Sequence, residues 1–194
     1  MLENQNRRRS ADTRQLVYFA VFTALVVVLQ SLASFVFPKL GVSLNLSLIP
    51  IVLGAALCGR WTGAWLGFVS AFIILFDPTT VAFMTFNAPA TVFLVILKGS
   101  ASAFVGGVVY SLLEKKNKYA AVLAAAIVTP IVNTGLFFGG CFAFFLPLIR
   151  EWSAGGNVVG YVVTAMIGVN FLIELGINTV FVPTVTRLLA IKRK

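Results

Sequence analysis

The chain has 194 residues, of which 59% are hydrophobic and 11% are charged, and its formal net charge is +9. Soluble domains carry about a quarter charged residues. A chain of this size cannot bury so much apolar surface in one core, so we expect it to lie in a membrane. Its basic residues cluster at both ends and in one internal segment, without a stripe of interleaved aromatics, which argues against a nucleic-acid partner.

Six apolar segments are predicted to form transmembrane helices, since about 20 apolar residues cross a bilayer. They cover approximately residues 16–37, 46–58, 62–76, 90–113, 119–145 and 158–182. Residues 77–89 and 147–157 are predicted to be loops, and Pro183 is predicted to open the tail. The predicted fold class is therefore an all-α membrane protein, a bundle of six transmembrane helices.

The distribution of basic residues predicts the orientation. Basic loops of membrane proteins stay in the cytoplasm. One side of the predicted bundle collects the arginines of residues 7–14, Arg60 and the lysines of residues 115–118, whereas the other receives Lys39 and Arg150. Both termini are therefore predicted to be cytoplasmic, as an even number of spans requires.

Residues 1–14 are predicted to form a cytoplasmic N-terminal segment, 15–190 a six-helix transmembrane domain, and 191–194 a basic cytoplasmic tail. The sequence has no histidine and no Gly-rich phosphate-binding loop, so imidazole catalysis and ATP hydrolysis by this chain are excluded. We predict no catalytic residue, no metal site and no cofactor.

Small residues recur every four positions on two predicted helices. Ala20 and Ala24 lie on the first helix, and a longer series on the third consists of Gly59, Gly63, Gly67 and Ala71. Such faces let helices approach closely in lipid. They predict either internal packing of this bundle or a docking surface for another membrane subunit.

Polar residues inside predicted spans are costly in lipid and are candidates for function. Lys98 lies on the fourth helix and Asn133 on the fifth, while Asn170, Glu174 and Asn178 share one face of the sixth. Lys98 either pairs with Glu174 or extends to the surface, or it meets the carboxylate of a small anionic ligand. Asn178 is interpreted as a contact between helices.

The predicted loop 77–89 is too apolar for a solvated linker, with Phe86 and two other large apolar residues in it. We expect it to fold over the rim of the bundle or over a bound ligand. Trp152 either forms part of the same lid or anchors the chain at the membrane interface.

These features resemble the substrate-binding S components of energy-coupling factor (ECF) vitamin transporters. The resemblance rests on size and topology, on Ala20-x3-Ala24, and on the glycine-rich stretch from Gly54 to Gly67. It implies capture of a vitamin at the plasma membrane of a bacterium. The implied partners are membrane lipid, an ECF transmembrane subunit and two cytoplasmic ATPase subunits. It assigns Ala20 and Ala24 to the docking face, with Gly63 and Gly67 as neighbours.

Within that family, the segments Pro130–Gly135 and Asn87–Pro89 are most similar to the pantothenate-type branch. The resemblance implies that Lys98 meets a vitamin carboxylate and that Asn133 and Asn87 meet its other polar groups. The full predicted substrate-binding set is Lys98, Asn133, Asn87, Asn170, Phe86 and Glu174. Folate and riboflavin stay open as substrates. The alternatives to an S component are a membrane scaffold without a ligand and a stand-alone secondary carrier.

Overall fold

The computed structural model describes residues 2–36 and 45–191, and all regular secondary structure in these ranges is helical. The helices are α1 (Leu2–Phe35), α2 (Leu48–Cys58), α3 (Arg60–Ile74), α4 (Pro78–Leu113), α5 (Lys118–Phe144), α6 (Leu146–Trp152), α7 (Val158–Tyr161) and α8 (Val169–Ile191). A π-helical segment, Val162–Gly168, joins α7 to α8. The predicted all-α bundle is confirmed.

Four helices are long and apolar enough to cross a membrane. They are Thr13–Phe35 within α1, all of α4, all of α5, and Val158–Leu189 within the continuous helix from α7 to α8. Helices α2 and α3 have 11 and 15 residues, about 16 and 22 Å at the usual rise per residue. Both are shorter than the roughly 30 Å hydrocarbon core. They meet at Gly59, whose φ of 98° favours glycine.

The prediction of a loop over residues 77–89 was wrong, because α4 already begins at Pro78. Asp77 is its N-cap and accepts a hydrogen bond from the Thr79 backbone N–H at 2.9 Å. An acidic cap followed by proline stops α3 and also starts the next helix well. The break occurs later, at Asn87, where φ is −152° and ψ is 88°, two residues before Pro89.

The C-terminal third also differs from the prediction. The predicted loop 147–157 contains the short helix α6. Helix α8 continues through Pro183 to Ile191, so this proline does not open the tail. Residues 192–194 of the predicted tail lie outside the described residues.

Helices α3 and α4 pack backbone to backbone. A side-chain carbon at Gly67 would overlap the carbonyl of Gly99, and one at Gly63 would lie 3.1 Å from the carbonyl oxygen of Ala103. Small residues permit this approach in lipid, where close packing stabilises helix pairs. The contact fixes the part of α4 that carries Lys98, the residue next to Gly99.

Candidate functional site

A cavity of about 400 Å³ lies inside the bundle. Every long helix contributes to its wall, as do the α3–α4 turn and α6. Its polar lining consists of Gln30, Asn45, Asp77, Thr79, Thr80, Thr91, Lys98, Asn133, Thr134, Asn170 and Glu174. Asp77 precedes the first residue of α4, and Trp152 lies on α6, just after the last residue of α5, whereas residues 114–118 join the other ends of these two helices. The cavity therefore lies toward the end of the bundle away from that basic turn. A volume of this size suits a small organic ligand.

Among the described residues, Lys98 is the basic side chain that lines the cavity. Its Nζ lies 4.7 Å from the centroid of the Phe137 ring, a cation–π contact between α4 and α5. Glu174 and Asp77 are the acidic groups that interact with it electrostatically. Within the described structure neither forms a direct ion pair with Lys98, which leaves the ammonium available to a ligand.

Asp77 lies 7% exposed where the α3–α4 turn meets the cavity. Its Oδ1 accepts from the Thr79 backbone N–H at 2.9 Å and from Thr79 Oγ1 at 2.6 Å. Its Oδ2 has no hydrogen-bond partner among the described residues. Asp77 was not identified as a site residue from the sequence, because it lies in the predicted loop 77–89.

A buried polar chain connects the first three helices to the cavity. Ser70 Oγ donates to Gln30 Oε1 at 3.2 Å, and the Ser47 and Ser70 hydroxyls lie 2.7 Å apart. Ser47 Oγ also contacts Asn45 Oδ1 at 2.7 Å, and Gln30 Nε2 donates to Ser34 Oγ at 3.1 Å. The chain positions Gln30 and Asn45, both of which line the cavity. Gln30 was not identified from the sequence. The signal that could have found it is a glutamine in the middle of an apolar helix.

The predicted polar residues of α5 and α8 also meet at the cavity. Asn133 is 9% exposed and its amide bonds to no other described residue. Asn170 and Glu174 lie one turn apart on α8 and line the same space. The Glu174 carboxylate accepts a hydrogen bond from the Asn45 backbone. Four predicted residues, Lys98, Asn133, Asn170 and Glu174, therefore share one wall.

Aromatic rings form the end of the cavity beside α6. Phe83 is the centre of this cluster, with ring centroids 5.1 Å from Phe145, 5.3 Å from Trp152 and 5.9 Å from Phe137, all edge to face. Edge-to-face pairs stabilise such clusters beyond the burial of their area. Trp152 thus belongs to the cavity wall.

Two predicted ligand residues lie outside the cavity wall. Asn87 is exposed at the α4 kink, where its Oδ1 accepts from the Ala90 backbone N–H at 3.2 Å. Phe86 is 45% exposed and contacts Phe145 on the outer side of the aromatic cluster. Neither residue lines the cavity, which a folded-back loop would have covered.

The predicted docking residues fall into two groups. Ala20 and Ala24 are exposed on α1, on a face that no described helix covers. Gly63 and Gly67 are buried in the α3–α4 contact and correspond to the internal-packing alternative. A docking surface can include the two alanines but not these two glycines.

A family model described as "ECF transporter, substrate-specific component" matches residues 14–186 of this chain. The match covers every residue named above as lining the cavity, together with Ala20 and Ala24. Comparisons with curated proteins and with solved structures give no match.

Proposed function

The chain belongs to the substrate-specific components of ECF transporters, and from this premise we propose that it binds a water-soluble vitamin in the cavity around Lys98. Such a component is a membrane-embedded substrate-binding subunit of an importer and is not an enzyme. The proposal concerns the class of ligand and the residues that hold it.

The observation that carries the proposal is the convergence of four intramembrane polar residues on one cavity of about 400 Å³. Polar groups at this depth cost free energy unless they have partners. Asn133 has none among the described residues, and Lys98 contacts only a ring directly. A ligand with polar groups can form hydrogen bonds with both side chains. A scaffold without a ligand would leave both without a hydrogen-bond partner.

The choice of vitamin is a finer proposal. If only the residues predicted from the sequence are considered, pantothenate fits, because Lys98 can bind its carboxylate and Asn133 can bond to its hydroxyl or amide groups. Asn87 lies outside the cavity wall, which removes one argument for pantothenate. Folate and riboflavin are the other candidates from the sequence.

We further propose that Ala20 and Ala24 form part of the surface that docks on the ECF transmembrane subunit, which two cytoplasmic ATPases energise. Both alanines are exposed, and small residues admit a close partner helix. In this arrangement residues 15–190 form the transmembrane domain of a multi-pass protein of a bacterial plasma membrane. Both termini are cytoplasmic and the cavity faces outward, in agreement with the distribution of basic residues.

The test is titration calorimetry on the purified chain in detergent with pantothenate, folate, riboflavin, thiamin, biotin and pyridoxine. Submicromolar binding of one vitamin supports the proposal, provided that Lys98→Met weakens it and Lys115→Met does not. Lys115 is exposed in the α4–α5 turn, so its variant controls for the loss of a positive charge. Binding of none of the six, with the chain still folded, would count against a vitamin as the ligand.

A further inference from the structure

The acidic and basic groups of the cavity wall are unequal in number. Among the described residues, Lys98 is the basic group, and Asp77 and Glu174 are two acidic groups. Both carboxylates interact electrostatically with Lys98. The protein therefore already provides at least one countercharge for its own cation. The sequence does not predict this balance, because Asp77 lies in the predicted loop 77–89.

The carboxylates are also partly open to the cavity. In Asp77, Oδ1 holds two hydrogen bonds from Thr79, while Oδ2 has no partner among the described residues. Glu174 accepts from the Asn45 backbone, which uses one of about four acceptor positions on a carboxylate. The wall thus offers several acceptors to a ligand, next to the donors of Lys98 and Asn133.

An anionic ligand fits this wall poorly. Its carboxylate would compete with the acidic groups of the wall for Lys98, within a space that water leaves on binding. Buried charges without partners are strongly unfavourable. A ligand that donates hydrogen bonds to the carboxylates and accepts one from Lys98 satisfies all three groups at once.

We infer, on the basis of the proposed function, that the ligand carries no net negative charge and presents hydrogen-bond donors to Asp77 and Glu174 together with an acceptor to Lys98. The substrate class is then a neutral or zwitterionic vitamin. Among the three candidates from the sequence, riboflavin is neutral, whereas pantothenate and folate are anions. The aromatic wall around Phe83 and Phe137 also suits a flat ring.

Matched pairs of ligands test the charge directly. Pantothenol is pantothenate with its carboxylate replaced by an alcohol, and flavin mononucleotide is riboflavin with an added phosphate. Calorimetry on the full chain in detergent measures both pairs. In whichever pair binds, the neutral member is expected to bind at least tenfold more tightly than the charged member. Equal or tighter binding of the charged member overturns the inference.

Substitution of the acids tests the residues. Glu174→Gln and Asp77→Asn are expected to lower the preference for the neutral member at least tenfold, because each frees Lys98 from one countercharge. Glu114→Gln, at the end of α4 away from the cavity, controls for the loss of an acid and leaves the preference unchanged. If neither acid in the cavity alters this preference, the inference is wrong, since a purely structural role would weaken both members alike.

The two proposals fail in different ways. Tight, Lys98-dependent binding of pantothenate together with a preference for pantothenate over pantothenol would support the proposed function and overturn the charge inference. Binding of no vitamin and no analogue by the folded chain would overturn both.

Discussion

The Lys98 ammonium lies 4.7 Å from the centroid of the Phe137 ring, so a cation on α4 is held by a ring on α5. Of the alternatives left open by the sequence, a lysine that extends to the surface would not make this contact. The ring stabilises the charge without using all of its hydrogen-bond donors. Lys98 is therefore positioned in the cavity and still able to bind a ligand.

Lys98→Met is expected to weaken ligand binding about tenfold or more, because hydrogen bonds to charged groups are worth roughly 1.5–3 kcal/mol. Methionine retains the apolar stem against Phe137, so the melting temperature in detergent should change little. Calorimetry and thermal unfolding of the same preparation measure the two effects. Unchanged affinity in this variant would remove Lys98 from the binding site.

The two asparagines that the sequence treated alike should behave differently. Asn133→Ala removes an unpartnered amide from the cavity wall and is expected to weaken binding about tenfold. Asn87→Ala removes the acceptor that caps the second half of α4 and is expected to cost about 1 kcal/mol of stability, with affinity retained. If Asn87→Ala weakened binding and Asn133→Ala did not, Asn87 would belong to the ligand site.

The α3–α4 contact gives a prediction on stability. In Gly67→Ala the new methyl group meets the Gly99 carbonyl, and the backbones must separate, at a cost of ~1–3 kcal/mol. Gly139→Ala on α5 is the matched control, since no atom lies within 4 Å of the added carbon and alanine favours a helix. Thermal unfolding in detergent should show a lower midpoint for the first variant alone; equal midpoints would contradict the close packing.

The fold was largely predictable because each helix has its own apolar run and its own break. The errors occurred where one signal serves two purposes. Asp77-Pro78 ends α3 and caps α4, and Pro183 lies within a helix whose neighbours can compensate for the lost hydrogen bond. Local sequence cannot separate these cases, since the outcome depends on what packs around the break.

The site was predictable only in part for a related reason. Lys98, Asn133 and Glu174 could be found because ionisable or amide groups stand out in apolar segments. Asp77 could not, since its access to the cavity depends on the tertiary packing of the α3–α4 turn. The glycines of α3 were equally ambiguous. The same spacing of small residues suits a face that packs inside the bundle and a face that packs against a partner.

Trp152 offers a spectroscopic check on the cavity. Its ring lines the cavity and packs against Phe83, whereas Trp61 is 73% exposed on α3 outside the cavity wall. A ligand in the cavity should therefore alter tryptophan emission in the unmodified chain and in Trp61→Phe, and the change should disappear in Trp152→Phe. A ligand-dependent signal that survives in Trp152→Phe would place the ligand elsewhere.

Bulky residues at the alanines of α1 should separate binding from transport. Ala20→Leu and Ala24→Leu place larger side chains on an exposed face without touching the cavity, so affinity in detergent should stay within about twofold. Contact with the ECF transmembrane subunit needs close helix approach, and uptake by cells that contain the complete transporter should fall to background. Ala143→Leu, exposed on α5, is the matched control and should transport normally. Since the docking surface rests on these two alanines alone, normal uptake by the double variant would move the partner to another face of the bundle.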